Sequence, residues 1–253
     1  MSRREQAAGQ KKAGGWGEAL RTLVWAGVIA LGVRTVAYEP FNIPSGSMEP
    51  TLLVGDYLFV SKYSYGYSRY SLPFSPNLFS GRIFDSLPQR GDVAVFKLPR
   101  DNSTDYIKRI VGLPGDRIQM KAGQLHINGE PAPRRLLGDY IAREATVRVQ
   151  VRRFVETLPG GRIHEIVKMN DSGGLNDTPE FKVPAGFFFA MGDNRDNSSD
   201  SRDPSGGVGF IPLENLVGRA EFIFFSVDAQ YPIWQVWNWP SQIRWQRLFS
   251  GIT

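Results

Sequence analysis

The sequence predicts a mainly β protein carried behind one N-terminal membrane-spanning helix. Three observations point there. Short apolar runs rich in β-branched and aromatic residues recur along most of the chain. Many of its 27 glycines and 17 prolines fall between those runs, where they favour turns over long helices. Near the N-terminus the pattern changes, and a charge-free stretch follows a basic tail. At 253 residues the chain is long enough for one large or two small domains with a sizeable core.

The tail, residues 1–15, carries Arg3, Arg4, Lys11 and Lys12 against Glu5, so +3 of the formal net charge of +5 resides there. The remaining +2 is ordinary for a globular body and gives no basic stripe for a nucleic acid. Residues 16–38 contain a charge-free core, 22–33, bracketed by Arg21 and Arg34. That core alone spans roughly 18 Å as a helix. Crossing roughly 30 Å of hydrocarbon therefore requires both arginines to snorkel, with Trp16 and Tyr38 at the interfaces. The basic residues ahead of the segment predict a cytoplasmic N-terminus and a body on the outer face. Two other readings fit the same residues. One is a cleavable signal peptide with Thr35-Val36-Ala37 as its cleavage site, and the other is an amphipathic helix buried in the fold.

Past Glu39-Pro40, where proline disfavours further helix, strand signals fall at residues 57–60, 93–96, 107–111, 147–155, 187–191 and 220–227. Gln124-Leu125-His126-Ile127 followed by Asn128-Gly129 predicts a hairpin with a tight turn. Residues 63–86, rich in Ser, Pro, Gly and aromatics without periodicity, predict a long surface loop. Residues 231–240 hold Trp234, Trp237 and Trp239, and Trp245 stands between Arg244 and Arg247. These aromatics suit either a membrane interface or packing on the β body.

Composition excludes several chemistries. Without cysteine there is no disulfide, thiolate metal site or cysteine nucleophile, and His126 and His164 are too few for a multi-histidine centre. Glu165 follows His164, but no histidine lies four residues on, so the zinc-protease helix motif is absent. Pro44-Ser45-Gly46-Ser47-Met48 exposes hydroxyls directly after the membrane segment. A serine nucleophile needs a base, and neither histidine has a triad context, which leaves lysine. Lys108 sits inside an otherwise apolar strand, Tyr106-Ile107-Lys108-Arg109-Ile110-Val111, on one face with Tyr106 and Ile110. There it is either a desolvated base or an outward lysine on an edge strand. An ordinary lysine is neutral about once in 2,500 at pH 7, and one lowered to roughly 8 about once in ten. Arg90-Gly91-Asp92 reads as a β-turn rather than an adhesion motif. Residues 192–203, Gly-Asp-Asn-Arg-Asp-Asn-Ser-Ser-Asp-Ser-Arg-Asp, mix acids with arginines in a way that suits pinning loops better than binding calcium.

The ordered set PSGSMEPTL, RGDVAVFK, YIKRIVGLPGD and GDNRDNSSDSR resembles the bacterial type I signal peptidases, a Ser/Lys-dyad serine protease family. The resemblance implies a β-rich catalytic core, residues 39–118 and 185–253, with a smaller β subdomain inserted at 119–184. It further implies an endopeptidase that removes signal peptides from exported preproteins after small-x-small sites, without cofactor or metal. Its place is the bacterial plasma membrane, single-pass, with the N-terminus cytoplasmic and the catalytic domain on the outer face. Its partners are signal peptides, membrane lipid and a nearby export translocase. By resemblance Ser47 is the nucleophile and Lys108 the general base. Ser45 and the Ser47 N–H form the oxyanion site, and Ser198 orients the lysine, supported by Asp200, Arg202, Asp193 and Arg195. Phe41, Ile43, Pro44, Met48, Leu52, Tyr106 and Ile107 are expected to line the substrate pockets. An extended substrate is expected to add beside 41–43. Many relatives have a second membrane segment that is not visible here. Two rival readings are a self-cleaving repressor of related fold, which would need a DNA-binding N-terminal domain, and a non-catalytic membrane-anchored β module.

Overall fold

The computed structural model describes residues 15–73, 75–144, 147–228, 235, 237 and 239–253. The basic residues Arg3, Arg4, Lys11 and Lys12, and Trp234 near the C-terminus, lie outside the described residues. Helix α1 (Trp16–Val36) is 21 residues long, about 31 Å at the usual rise. That length matches the hydrocarbon thickness, because Arg21 and Arg34 stay inside the helix rather than ending it. None of its residues is buried, and it is long and apolar enough to cross a membrane. It stops two residues before Tyr38, where the Ala37 N–H closes on the Val33 carbonyl.

The body is almost entirely β. Along the chain come β1 (Tyr38–Asn42), β2 (Asp56–Ser61), β3 (Val93–Lys97) and β4 (Asp105–Gly112). They are followed by β5 (Arg117–Lys121), β6 (Gln124–Ile127), β7 (Glu130–Pro131), β8 (Arg134–Glu144), β9 (Val147–Thr157) and β10 (Ile163–Lys168). The chain then forms β11 (Phe181–Lys182), β12 (Phe187–Met191), β13 (Ile211–Pro212), β14 (Leu216–Ser226), the short α2 (Trp239–Gln242) and β15 (Ser250–Gly251). The main sheet runs β1-β2-β14-β3-β4-β12-β13, with β15 beside β14. A second sheet runs β11-β5-β6-β7 and a third β10-β9-β8. Asn128 and Gly129 both have positive φ, 57° and 90°, as the tight turn between β6 and β7 requires.

Two placements in the main sheet matter for the site. β4 lies between β3 and β12, so Lys108 stands on an interior strand. β12 pairs with β4 only from Arg109 to Gly112, which leaves the β12-side flank of residues 105–108 without a strand among the described residues. β1 is the edge strand, which is where a proline such as Pro40 is tolerated.

Val60, Val95, Leu58, Ile43, Met48 and Leu52 pack one part of the core. Ile110, Phe96, Phe188 and Ile211 fill another, and Val111, Ile118, Leu125 and Phe189 a third. Of the surface loop that composition predicts at residues 63–86, the latter part is largely exposed, with Leu78 and Phe84 open to solvent, but the first part packs inward. Tyr65 and Tyr70 join the core, Tyr65 donates to the buried Asp92, and Ser68 and Ser71 cap the turn Arg69–Ser71. Aromatics that enter a core one at a time leave no period for sequence analysis to detect. Arg244 and Arg247 bind the buried Asp56 and draw the chain onto the body, while Trp237 and Trp245 remain exposed.

Phe189 is wholly buried and touches the rings of Phe181 and Phe210. Phe189→Ala is expected to cost about 3–5 kcal/mol, read by denaturant unfolding. A cost under about 1 kcal/mol would show that this part of the core does not hold the sheets together.

Candidate active site

Ser45, in extended backbone, leads into a single 3-10 turn, Gly46–Met48, that buries Ser47. Lys108, 4% exposed, reaches this turn from β4. Its Nζ is 2.7 Å from Ser47 Oγ and 3.0 Å from the Ile107 carbonyl oxygen. The Tyr106 ring lies beneath, its centroid 5.4 Å from Nζ. Ser45 Oγ is 3.4 Å from Ser47 Oγ. Burial lowers the Lys108 pKa to about 8, against the opposing pull of Asp200 and Asp193.

Those two carboxylates are held by arginines of their own. Arg109 forms a bidentate pair with Asp193 at 2.8 and 2.7 Å, and its Nη1 donates to the Gly91 carbonyl. Asp193 also accepts from Thr51 Oγ1 at 2.6 Å. Arg202 grips Asp200 with two bonds of 2.9 Å and donates to the Arg195 carbonyl, while the Gly192 N–H donates to Asp200. Burial pushes both carboxyls up, but the arginines outweigh it and hold both below the usual carboxylate range. Buried ions are tolerated only when paired and hydrogen-bonded in this way.

Arg195 turns to the other side, where a bidentate pair joins it to Glu156 of β9. Val167 of β10 and the 193–195 segment exchange backbone bonds, Val167 N–H to Asp193 O and Arg195 N–H to Val167 O. His164 stands with Nε2 3.4 Å from Glu156 Oε2, and burial lowers its pKa. The third sheet is thus fastened to the 192–202 loop from beneath.

The residues singled out by sequence are therefore mostly neighbours, with two departures. Lys108 makes no hydrogen bond to Ser198, whose buried Oγ has no partner of good geometry while still helping to hold the Asp200 carboxyl down. Met48 and Leu52 are completely buried and Ile43 is nearly so, and all three belong to the core beneath the turn, because a 3-10 turn sends Met48 inward. Pro44 is exposed, and Phe41, Tyr106 and Ile107 are half-buried around the site. Sequence reasoning missed Asn194, Thr51, Arg109 and Glu156. The first three lie inside or beside the quoted motifs, whereas Glu156 gives no local signal. Among the described residues, no three His, Asp or Glu side chains converge as a metal site would require.

Residues 16–225 match the family described as "Signal peptidase, peptidase S26". The chain belongs to this signal peptidase family. Signal peptidase I of Rickettsia typhi is 41% identical over 241 residues, covering 88% of this chain and 89% of its own. Signal peptidase I of Rickettsia massiliae is 40% identical over 256 residues, covering 94% and 92%. A solved signal peptidase I from Enterococcus faecalis aligns with 53% of this chain and 97% of its own at 26% identity, with a TM-score of 0.32. As a signal peptidase, the chain is a serine protease that removes signal peptides.

In this signal peptidase, Gly192 is where the acid-arginine loop presses on the serine turn. A methyl group there would stand 2.2 Å from Ser198 Oγ and 2.5 Å from the Ser47 carbonyl oxygen. Gly192→Ala is expected to push the loop off the turn, costing roughly 1–3 kcal/mol of stability and most of the peptidase activity. A folded, fully active Gly192→Ala enzyme in a cleavage assay would contradict this packing.

Proposed function

We propose that Ser47 and Lys108 are the catalytic dyad with which this peptidase cuts exported preproteins after small-x-small sites. The observation that carries this reading is the 2.7 Å contact between Lys108 Nζ and Ser47 Oγ. A charged Nζ donates to Oγ, whereas the neutral amine accepts the hydroxyl proton along the same line. Ser47 Oγ then attacks the carbonyl carbon of the residue before the cut. The oxyanion is met by Ser45 Oγ and the Ser47 N–H. Lys108, now protonated, gives its proton to the departing amine, and the acyl-enzyme is hydrolysed by a water whose proton Lys108 takes and then returns to Ser47 Oγ as the acid product leaves.

The supporting residues follow from the same chemistry. Asp193 with Arg109, and Asp200 with Arg202, fix the loop without handing Lys108 a contact ion. Arg195 ties that loop to Glu156, and Ser198, whose hydroxyl is unpaired here, is the residue expected to turn its hydroxyl to the lysine. Phe41, Pro44, Tyr106 and Ile107 bound shallow pockets that favour small side chains, with Ile43, Met48 and Leu52 as their floor. The substrate adds as an extended strand between the open edge of β1 and the free flank of residues 105–108. Residues 39–118 and 185–253 make the catalytic unit in this reading, and 119–184 the inserted subdomain.

We further infer that α1 anchors the enzyme in the bacterial plasma membrane, in contact with lipid and close to the export translocase. Residues 1–15 lie in the cytoplasm and the body outside. In sealed right-side-out vesicles, external protease should digest the body and spare the tail. The reverse pattern would overturn the orientation.

Incubated with a preprotein in detergent, wild type is expected to cut after a small-x-small site, while Ser47→Ala and Lys108→Ala are inactive. Because Lys108 works as the neutral base, the rate should rise about tenfold per pH unit and level off above about pH 8. Activity in either variant, or a flat profile between pH 6 and 8, would count against the dyad.

A further inference from the structure

The activity of a serine acylase depends on how the N–H of the nucleophile is aimed, and here that N–H belongs to the peptide unit joining Gly46 to Ser47. Gly46 is the residue type with the greatest backbone freedom. Its carbonyl is nonetheless held twice, by the Glu49 N–H at 3.1 Å and by Asn194 Nδ2 at 3.2 Å. The same asparagine donates its backbone N–H to the Ser47 carbonyl at 3.1 Å. One residue therefore grips both peptide planes that flank the nucleophile.

We propose that Asn194 is a positioning residue that aims the Ser47 N–H into the oxyanion site. A peptide unit is planar and trans, so its C=O and N–H point in opposite directions. A donor that fixes the Gly46 carbonyl consequently fixes the Ser47 N–H on the far side. It also polarises the unit and makes that N–H a stronger donor. Only the amide nitrogen can face Gly46 O, since the side-chain oxygen would meet another acceptor. Asn194 can hold this line because its own backbone does not move. It is 2% exposed, bridges to Val167, and stands between Asp193 and Arg195, each locked in a bidentate pair. The third sheet thus reaches the oxyanion site through one side chain.

This inference rests on the assignment of Ser47 as nucleophile, and the test separates the two. Wild type, Asn194→Ala, the isosteric Asn194→Asp and Ser47→Ala are compared by steady-state cleavage of a signal-peptide substrate, by pH profile and by affinity for a peptide boronate. The boronate forms a tetrahedral adduct on serine that places an oxygen where the oxyanion forms. Both Asn194 variants are expected to lose roughly 10- to 100-fold in kcat with KM unchanged, and Asn194→Ala, which adds no charge, should leave the acid limb of the pH profile in place. Boronate affinity should fall in step with kcat. A kcat within about threefold of wild type, a matching rise in KM, a displaced acid limb in Asn194→Ala, or unfolding of both variants would each overturn the role given to Asn194. Activity in Ser47→Ala would instead overturn the nucleophile itself.

Discussion

The structure turns on a lysine that must be buried beside carboxylates yet remain easy to deprotonate. A free carboxylate against Nζ would hold the ammonium charged, and full exposure would do the same through water. Here Asp193 and Asp200 are close enough to be felt but are spoken for by Arg109 and Arg202. Burial therefore prevails, and the lysine settles at about 8. The acid-arginine density of residues 192–203 is the means by which two negative charges are kept near the Lys108 amine without pairing with it.

That arrangement requires a scaffold with little play. Lys108 and Arg109 are consecutive on an interior strand, so one rigid backbone aims the lysine at Ser47 and also anchors the acid that restrains the loop. The loop is closed from the other side by Arg195 on Glu156 and by backbone bonds to β10. Residues far apart in the chain thereby share one buried ionic network, whose cost in desolvation is offset only when every member is paired.

Much of this was legible in the sequence because local rules and global structure agree there. Residues 187–191 form the strand their composition predicts, as does the stretch around Lys108, and Asn128-Gly129 makes its turn. The failures have physical reasons. Residues 63–86 lack periodicity but bury Tyr65 and Tyr70 individually. Glu156 is invisible in one dimension, since only the folding of β9 against the loop gives it a partner. Asn194 was in plain view, but its role depends on which carbonyl it faces, and no spacing encodes that.

Pro40 gives the edge of the main sheet a further property. Ile43 sends both its N–H and its carbonyl towards β2, to Asp56 O and from Gly55 N–H, and the Ala37 carbonyl likewise receives the Lys62 N–H. By alternation, residues 38, 40 and 42 present their backbone groups outward. The outer edge therefore has a gap in its row of donors where Pro40 has no N–H. A sheet edge left open is a template for uncontrolled pairing with other chains. With one rung missing, this edge is a poor seed for continued sheet growth, so Pro40 gives the protein some protection from aggregation at its exposed edge.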